Sequence, residues 1–199
     1  MTAVAIVANG GANIASLRFA LDRLGVASLL TTEPAELQRA SHVILPGVGA
    51  AADAMERLRA LDLVDVLPAL TQPVLGICLG MQLLFESSEE GSTRCLGVVP
   101  ASVRRLPQRA GLPVPHMGWN QLRVCGESPL TRGIGADEYV YFVHSYAAPV
   151  GPWSLATTDY GGEFSALVRS GNFYGAQFHP ERSSRTGSRL LANFLELAA

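Results

Sequence analysis

The chain has 199 residues, of which 48% are hydrophobic and 16% are charged, a composition typical of a folded protein rather than a disordered one. The chain has 15 basic and 17 acidic residues, which gives a net charge of −2, and the basic residues are scattered along the sequence. Both features argue against a nucleic-acid partner. The chain contains no Lys, which excludes Schiff-base chemistry and a phosphate loop that depends on Lys. This length suits one α/β domain, which we place at residues 1–199.

The cysteines predict a reducing compartment. Cys78, Cys95 and Cys125 are odd in number and form no close pair, so neither a disulfide framework nor a CxxC metal or redox site is expected. The first residues carry no cationic segment, and we therefore expect no secretory signal and a cytoplasmic location. The uncharged stretch Val66–Phe85 contains prolines, glycines and glutamines, so we do not expect it to span a membrane.

The first half of the chain predicts three units of a strand followed by a helix. The predicted strands are the apolar runs Val4–Ala8, Val43–Leu45 and Val74–Cys78. The first helix has Asn13 as a plausible N-cap and Gly25 as its stop, and the third is predicted over Leu79–Ser87. Apolar strands that alternate with helices indicate right-handed crossovers and a parallel sheet.

The second half predicts short strands joined as hairpins, followed by a final helix at Arg185–Leu197. The predicted strands are Val98–Leu106, Gln121–Val124, Tyr139–Tyr146, Trp153–Thr158, Phe164–Arg169 and Phe173–Phe178. No linker, repeat or block of charge separates the halves. The fold class predicted is therefore α/β, a single domain with a mixed, largely parallel sheet flanked by helices.

Cys78 lies in Gly76-Ile77-Cys78-Leu79-Gly80, where a buried strand is predicted to give way to a helix. A nucleophile between two glycines at such a turn is the nucleophile-elbow pattern, here with Cys in place of Ser. The positive end of the following helix would favour the thiolate. A lone Cys in an apolar segment is also compatible with a buried structural thiol.

His179 and Glu181 lie in Phe178-His179-Pro180-Glu181. Pro180 favours an extended conformation at His179, and in an extended segment residues two apart share a face. Glu181 could then orient the imidazole and stabilise its charge while the other ring nitrogen exchanges protons with Cys78. A surface His-Pro-Glu turn would have the same sequence.

Pro46-Gly47-Val48-Gly49 directly follows the second predicted strand. Its glycines would let the backbone N–H groups near Gly47 and Val48 stabilise an oxyanion together with the N–H of Leu79. A plain turn between strand and helix would use the same residues.

Together these segments resemble the class I (triad) glutamine amidotransferases, and the likeness covers nearly the whole chain. The motifs that carry it are Gly10 to Ser16, Leu45 to Gly49, Gly76 to Glu86, Pro115-His116-Met117-Gly118-Trp119-Asn120, Tyr141 to Tyr146 and Gln177-Phe178-His179-Pro180-Glu181. Most sister glutaminases carry Pro-Gly-Gly at the oxyanion strand. The Pro-Gly-Val-Gly and His-Met-Gly-Trp-Asn segments are similar instead to the branch of the family that serves histidine biosynthesis.

The resemblance implies a role for each matching position. Cys78 would be the nucleophile, His179 the acid and base, and Glu181 its orienter. The residues implied to bind glutamine are Gly49, Gln82, Glu86, Ser145 and Tyr146, with Gln82 and Glu86 one turn apart on the predicted helix. Trp119 and Asn120 would lie at the interface with a synthase, although Trp119 alone would be compatible with core packing.

The resemblance also implies a reaction and a partner. Glutamine would be hydrolysed through a thioester, and the ammonia would pass to the (β/α)8-barrel cyclase subunit of imidazole glycerol phosphate synthase. We expect no cofactor, metal, nucleic acid or membrane partner. The chain departs from the family pattern at residues 9–13, at Pro113 and at Arg182, where a Lys commonly follows the His-Pro-Glu.

Three other functions remain open from the residues alone. A glutaminase of another biosynthetic synthase would share the triad and differ in its acceptor. A cysteine hydrolase or peptidase would act on other substrates and would not need Gln82. A silent binding subunit or thiol sensor would use Cys78 without turnover.

Overall fold

The computed structural model describes residues 4–10 and 14–198. Its strands are β1 (Val4–Val7), β2 (Ser28–Thr31), β3 (His42–Gly47), β4 (Val74–Cys78), β5 (Phe85–Ser88), β6 (Thr93–Arg94), β7 (Val99–Arg105), β8 (His116–Gln121), β9 (Arg123–Val124), β10 (Tyr139–His144), β11 (Tyr146–Ala147), β12 (Ser154–Asp159), β13 (Glu163–Ser170) and β14 (Phe173–Ala176). Its α-helices are α1 (Ile14–Arg23), α2 (Pro34–Arg39), α3 (Ala51–Ala60), α4 (Leu79–Leu83) and α5 (Ser184–Leu195).

Within the described residues, eight strands form the main sheet in the order β2-β1-β3-β4-β14-β13-β12-β9. The strands from β2 to β14 are parallel, and those from β14 to β9 pair antiparallel. The predicted mixed, largely parallel sheet is confirmed. The carboxyl ends of β3, β4 and β14 lie side by side, which brings the residues that follow these strands to one edge.

Helices cover both faces of the sheet because its central strands are apolar on both sides. In β1, Ile6 packs with the buried positions of α1 and α5, whereas Val7 packs with those of α2 and α3. Leu190, Leu191 and Phe194 form the fully buried stripe of α5, as its spacing predicts. Gly25 has φ +74 just beyond α1, which explains why the helix stops there. The predicted N-cap, Asn13, lies outside the described residues.

Two smaller sheets flank the main one. The first has the order β11-β7-β5-β6, and the second pairs β10 with β8 antiparallel. In that pair Trp119 lies opposite Tyr141 and His116 lies opposite His144. Side chains alternate between the faces, so Trp119 and Tyr141 share one face while both histidines lie on the other.

The predicted helix Leu79–Ser87 is wrong in its second half, because α4 ends at Leu83 and Phe85–Ser88 is strand β5. Phe85 is fully buried in a small cluster with Met81 and Val99, and this packing outweighs the helical pattern. A continuous apolar run is compatible with either structure. The sequence interpretation also missed β2, which is an edge strand of the main sheet, and α2, which packs against β1.

Within residues 4–10 and 14–198 no helix has both the length and the apolar character needed to cross a membrane. The stretch Val66–Phe85 instead contains β4 and α4, which are buried inside the protein.

Candidate active site

Cys78 ends β4 and precedes α4, with φ 54° and ψ −110°, a conformation that L residues rarely adopt. Glycines flank it because the turn leaves no room. A Cβ atom on Gly76 would lie 2.6 Å from the carbonyl oxygen of Gly80, and one on Gly80 would lie 1.8 Å from that of Leu45. The strained turn therefore requires the small residues of the predicted elbow.

Gly47 lies beside Cys78 in the register of β3 and β4. A Cβ atom on Gly47 would lie 2.9 Å from the backbone nitrogen of Gly80 and 3.0 Å from the Cβ of Leu79. Gly49 has φ +91 and open space around it, so its backbone conformation alone favours glycine there. The end of β3 is thus held close to the start of α4 at Gly47, whereas at Gly49 only the backbone conformation, and no neighbouring atom, restricts the side chain.

His179 follows β14 in an extended conformation, as Pro180 predicts, with φ −96° and ψ 100°. Its N–H donates to the carbonyl oxygen of Tyr141 at 3.0 Å. Glu181 lies in a short 3-10 helix rather than in the extended segment that the sequence predicted. Its Oε1 nevertheless lies 2.9 Å from the Nδ1 of His179, and both side chains are at least nine-tenths buried.

The electrostatics of His179 favour its imidazolium form. Burial acts to lower the pKa of this imidazole, but the sulfur of Cys78 and the carboxylate of Glu181 outweigh burial and raise the pKa to about 10. An imidazolium between a carboxylate and a sulfur stabilises negative charge on that sulfur. The three side chains therefore have the relative positions that a nucleophile, an acid and its orienting carboxylate would need.

A pocket of about 400 Å³ opens in front of Cys78. It brings together most of the predicted site residues, namely Val48, Gly49, Cys78, Leu79, Gln82, Ser145, Tyr146 and His179. Gly47 and Glu181 line a smaller adjoining space beside His179. A larger cleft of about 720 Å³ lies along α5 and contacts Glu181, but Cys78 does not line it.

Glu86 does not line the pocket, so the prediction that it faces glutamine together with Gln82 is wrong. Gln82 is on α4, whereas Glu86 is on β5 with an exposed side chain, because the helix ends before it. Glu90 lies in the pocket instead. Its Oε2 accepts from the N–H of Ala51 at 2.8 Å, which ties the carboxylate to the start of α3. No local pattern in the sequence indicated Glu90.

A buried pair of side-chain amides lies behind Cys78. Gln82 Nε2 donates to the carbonyl oxygen of Tyr146 at 2.7 Å and to Oε1 of Gln177 at 2.9 Å. Gln177 is fully buried, and its Nε2 lies 3.8 Å from the Sγ of Cys78. The sequence analysis included Gln177 in a motif but assigned it no role. Its position two residues before His179 was the one feature of the sequence that placed it near the site.

The two predicted interface residues behave differently. Trp119 is 52% exposed on the outer face of the β8 and β10 pair, where Met117 and Tyr139 are exposed as well. The amide of Asn120 turns inward instead and donates to the carbonyl oxygen of Asp159 at 2.9 Å. The guanidinium of Arg182 lies 4.6 Å from the ring centre of Tyr141, which continues this face towards His179.

The other cysteines lie outside the pocket. Cys95 is buried, and burial raises the pKa of its thiol to about 11, whereas Cys125 is exposed. Among the described residues, no group of three His, Cys, Asp or Glu side chains is arranged to hold a metal ion.

An elbow cysteine next to a His–Glu pair, on a parallel sheet covered by helices, is an arrangement typical of enzymes that use a thiol nucleophile. Residues 6–198 match the family described as Glutamine amidotransferase class-I, and the chain belongs to that family. It is 54% identical over 198 residues to the imidazole glycerol phosphate synthase subunit HisH of Xanthomonas axonopodis pv. citri, an alignment that covers 100% of this chain and 99% of that protein. It is 52% identical to the HisH subunit of Xylella fastidiosa, with 100% of both chains covered.

Solved structures agree on the fold. A crystal structure of a glutamine amidotransferase matches with a TM-score of 0.75 at 24% identity, covering 97% of both chains. A glutamine amidotransferase from Thermotoga maritima matches with a TM-score of 0.65 at 19% identity, covering 97% of this chain and 82% of that one. The resemblance to the triad amidotransferases and the predicted fold class are therefore confirmed.

Proposed function

We propose that this protein is the glutaminase subunit of an imidazole glycerol phosphate synthase, which hydrolyses glutamine at Cys78 and passes the ammonia to a cyclase subunit in histidine biosynthesis. The observation that carries the proposal is the His179–Glu181 pair beside Cys78, at the adjacent carboxyl ends of β14 and β4. Similarity to HisH proteins over the whole chain supports the acceptor side of the reaction. We treat residues 1–199 as one catalytic domain.

In the first half of the reaction the Cys78 thiolate attacks the γ-carboxamide carbon of glutamine. A C–S bond forms and the carbonyl electrons move onto oxygen. When the oxyanion collapses, the C–N bond breaks, and the imidazolium of His179 donates its proton to the leaving nitrogen. Ammonia and a γ-glutamyl thioester on Cys78 result.

In the second half His179 acts as a base. The thioester carries no negative charge on sulfur, so one of the two interactions that raise the pKa of His179 is gone at this stage. The neutral imidazole takes a proton from water, which attacks the thioester carbon, and the C–S bond breaks to give glutamate. Glu181 keeps its hydrogen bond to Nδ1 throughout and so holds the proton-transferring nitrogen towards Cys78.

We assign the oxyanion hole to the backbone N–H groups near Gly47, Val48 and Leu79. Val48 and Leu79 line the pocket beside Cys78, and Gly47 is packed against the first residues of α4. Gly49, with φ +91 and open space where a Cβ atom would lie, would let the preceding peptide rotate when a partner binds. We therefore propose that the isolated chain hydrolyses glutamine more slowly than its complex does.

Substrate recognition would use both ends of the pocket. Glu90 offers a carboxylate for the α-ammonium group of glutamine, while Gly49, Ser145 and Tyr146 line the wall that the substrate would contact. Both protons of the Gln82 amide are already donated to protein atoms. Only its Oε1 remains to accept a hydrogen bond from the substrate.

The partner we propose is a (β/α)8-barrel cyclase that forms a complex of two different chains with this protein in the cytoplasm. Ammonia released into water is protonated and loses its nucleophilicity, so the two active sites should be joined across an interface. The exposed side chains of Met117, Trp119 and Tyr139 offer an apolar docking face beside the His179 rim. Asn120 would act there indirectly, by holding the β8 backbone.

The experiment is a coupled assay that follows glutamate release. Glutamine is given to the chain alone, to the chain with a purified cyclase, and to that complex with the cyclase's nucleotide substrate. We expect the highest rate in the last case and none with Cys78→Ala. A complex that makes no glutamate, or a chain that activates other ammonia-dependent synthases equally well, would overturn the proposal.

A further inference from the structure

Two buried histidines connect the β8 and β10 pair to the active-site pocket. The Nδ1 of His116 lies 3.2 Å from the Nε2 of His144. On the outer side, Asn120 Nδ2 lies 3.4 Å from the Nε2 of His116. On the inner side, His144 Nδ1 lies 2.9 Å from the carbonyl oxygen of Tyr146. Neither imidazole is used by the triad.

Fixed backbone groups at both ends decide the direction of these hydrogen bonds. Asn120 Oδ1 accepts from the N–H of Gln121 at 2.8 Å, and its Nδ2 donates to the carbonyl oxygen of Asp159. The amide therefore presents a donor to His116, whose Nε2 must accept. At the other end the carbonyl of Tyr146 can only accept, so Nδ1 of His144 must donate.

These two constraints agree on one arrangement. His116 carries its proton on Nδ1 and donates to Nε2 of His144, which in turn carries its proton on Nδ1. An imidazolium at His116 would place an N–H against the N–H of Asn120, and an imidazolium at His144 would place one against the N–H of His116. These hydrogen bonds therefore require both rings to be neutral. Burial acts in the same direction, lowering the pKa of His116 to about 4 and that of His144 to about 3.

The chain of hydrogen bonds continues to the nucleophile. The carbonyl oxygen of Tyr146 accepts one hydrogen bond from His144 Nδ1 and another from Gln82 Nε2. Both lone pairs of this oxygen are therefore used. Gln82 donates its second proton to Gln177, and Gln177 Nε2 lies 3.8 Å from the sulfur of Cys78. The orientation of each group therefore determines the orientation of the next.

We propose that His116 and His144 are positioning residues for the glutaminase reaction, which hold the Tyr146 carbonyl and through it the Gln82 and Gln177 amides that orient the sulfur of Cys78. The proposal rests on the proposed function for its activity readout. It adds that a donor on Asn120, behind the face carrying Trp119, sets the proton positions of both histidines. Substitution of His116 or His144 should change the reactivity of Cys78 even though neither side chain is assigned a contact with the substrate.

Ring packing is the alternative role for these side chains. The ring of His116 stacks between Phe142 and Tyr160, at 4.9 and 3.9 Å between ring centres. His116→Phe keeps a ring in this stack and removes both hydrogen bonds, so it separates the two roles. His42→Phe is a matched control, because His42 is also buried and contacts the ring of Phe194 far from the pocket.

The first measurement is the proton position on each ring, from nitrogen-15 chemical shifts of histidine-labelled protein. In the wild type at pH 7 we expect His116 and His144 to be neutral with the proton on Nδ1. Asn120→Asp replaces the donor by an acceptor of the same shape, and should move a proton onto Nε2 of His116. A wild-type Nε2–H form at either ring, or no change in Asn120→Asp, would overturn the proposal even if His116→Phe fails to fold.

The second measurement is the reactivity of Cys78. His116→Phe should lower kcat for glutamine in the complex about tenfold, with a smaller change in KM, because a displaced nucleophile loses alignment rather than substrate affinity. The alkylation rate of Cys78 by iodoacetamide should change while that of exposed Cys125 does not. Wild-type kcat and alkylation in a folded His116→Phe would overturn the proposal, whereas an inactive wild-type complex would overturn only the proposed function.

Discussion

The backbone of Gly80 passes so close to Leu45 that a Cβ atom on Gly80 would lie 1.8 Å from the Leu45 carbonyl oxygen. Gly80 is the second residue of α4 and Leu45 lies in β3, so this approach sets the distance between the turn at Cys78 and the proposed oxyanion segment after Leu45. We expect Gly80→Ala to lower the free energy of unfolding by about 3 kcal/mol, since backbone atoms cannot move aside as a flexible side chain would. Urea unfolding measures this.

Gly126→Ala is the matched control for that substitution. A Cβ atom there would meet nothing within 4 Å, and Gly126 has no positive φ. We expect its free energy of unfolding to stay within about 0.5 kcal/mol of the wild type. Equal losses for the two variants would contradict the steric explanation.

Cys78→Ala should abolish glutamine hydrolysis and leave the fold intact, because it removes one sulfur atom and no large core side chain. Cys125→Ala should leave the rate unchanged, since that thiol is exposed and lies outside the pocket. Mass spectrometry after treatment with a glutamine-like diazoketone should place the label on Cys78. A label on Cys95 or Cys125 would show that the nucleophile is assigned wrongly.

Glu181→Gln should lower kcat far less than His179→Ala does. In the proposed mechanism His179 moves the protons, whereas Glu181 orients it through the 2.9 Å contact and stabilises its charge. Steady-state kinetics of the complex compare the two variants. Equal losses would mean that the carboxylate itself accepts a proton.

The alkaline limit of glutaminase activity should lie far above the ordinary range of histidine. The first step of the proposed mechanism needs the imidazolium of His179. Burial lowers the pKa of this imidazole, but the Cys78 sulfur and the Glu181 carboxylate outweigh burial and raise it to about 10. The protonated fraction is therefore retained through neutral pH and lost as pH rises towards 10. Titration of His179 by NMR without substrate measures its pKa directly. The α-amino group of glutamine, which also loses its proton at alkaline pH, is then absent from the sample.

Cys78→Ala supplies the control for that titration. It removes the sulfur that raises the pKa of His179, so burial has more effect and the pKa should fall below the wild-type value. An unchanged titration would mean that the sulfur and the imidazole do not interact.

Trp119→Ala should weaken binding to the cyclase about tenfold or more without lowering the melting temperature. Its ring is 52% exposed in the free chain, and large aromatic side chains at the centre of an interface carry much of the binding free energy. Calorimetric titration of the two purified subunits measures the dissociation constant. Cys125→Ala serves as an exposed control, and an unchanged constant for Trp119→Ala would remove this face from the proposed interface.

Local patterns in the sequence predicted the parts of the site that depend on neighbours along the chain. The glycines around Cys78 indicated a tight turn because any side chain would clash there, and the structure has that turn with positive φ at Cys78. Pro180 indicated the extended backbone of His179 for an equally local reason. Apolar runs alternating with helices predicted the parallel half of the sheet.

Only the tertiary structure decided which polar groups face the pocket. Gln82 and Glu86 look equivalent on a helical pattern, yet burial of Phe85 ends α4, turns Glu86 outward and brings Glu90 back to the pocket through β5. The hydrogen bond between His116 and His144 likewise could not be predicted from a local pattern, because the pairing of β8 with β10 brings the two residues together. Hydrophobic periodicity along the sequence predicts which residues are buried. The pairing of strands that are distant in sequence determines which buried polar groups contact one another.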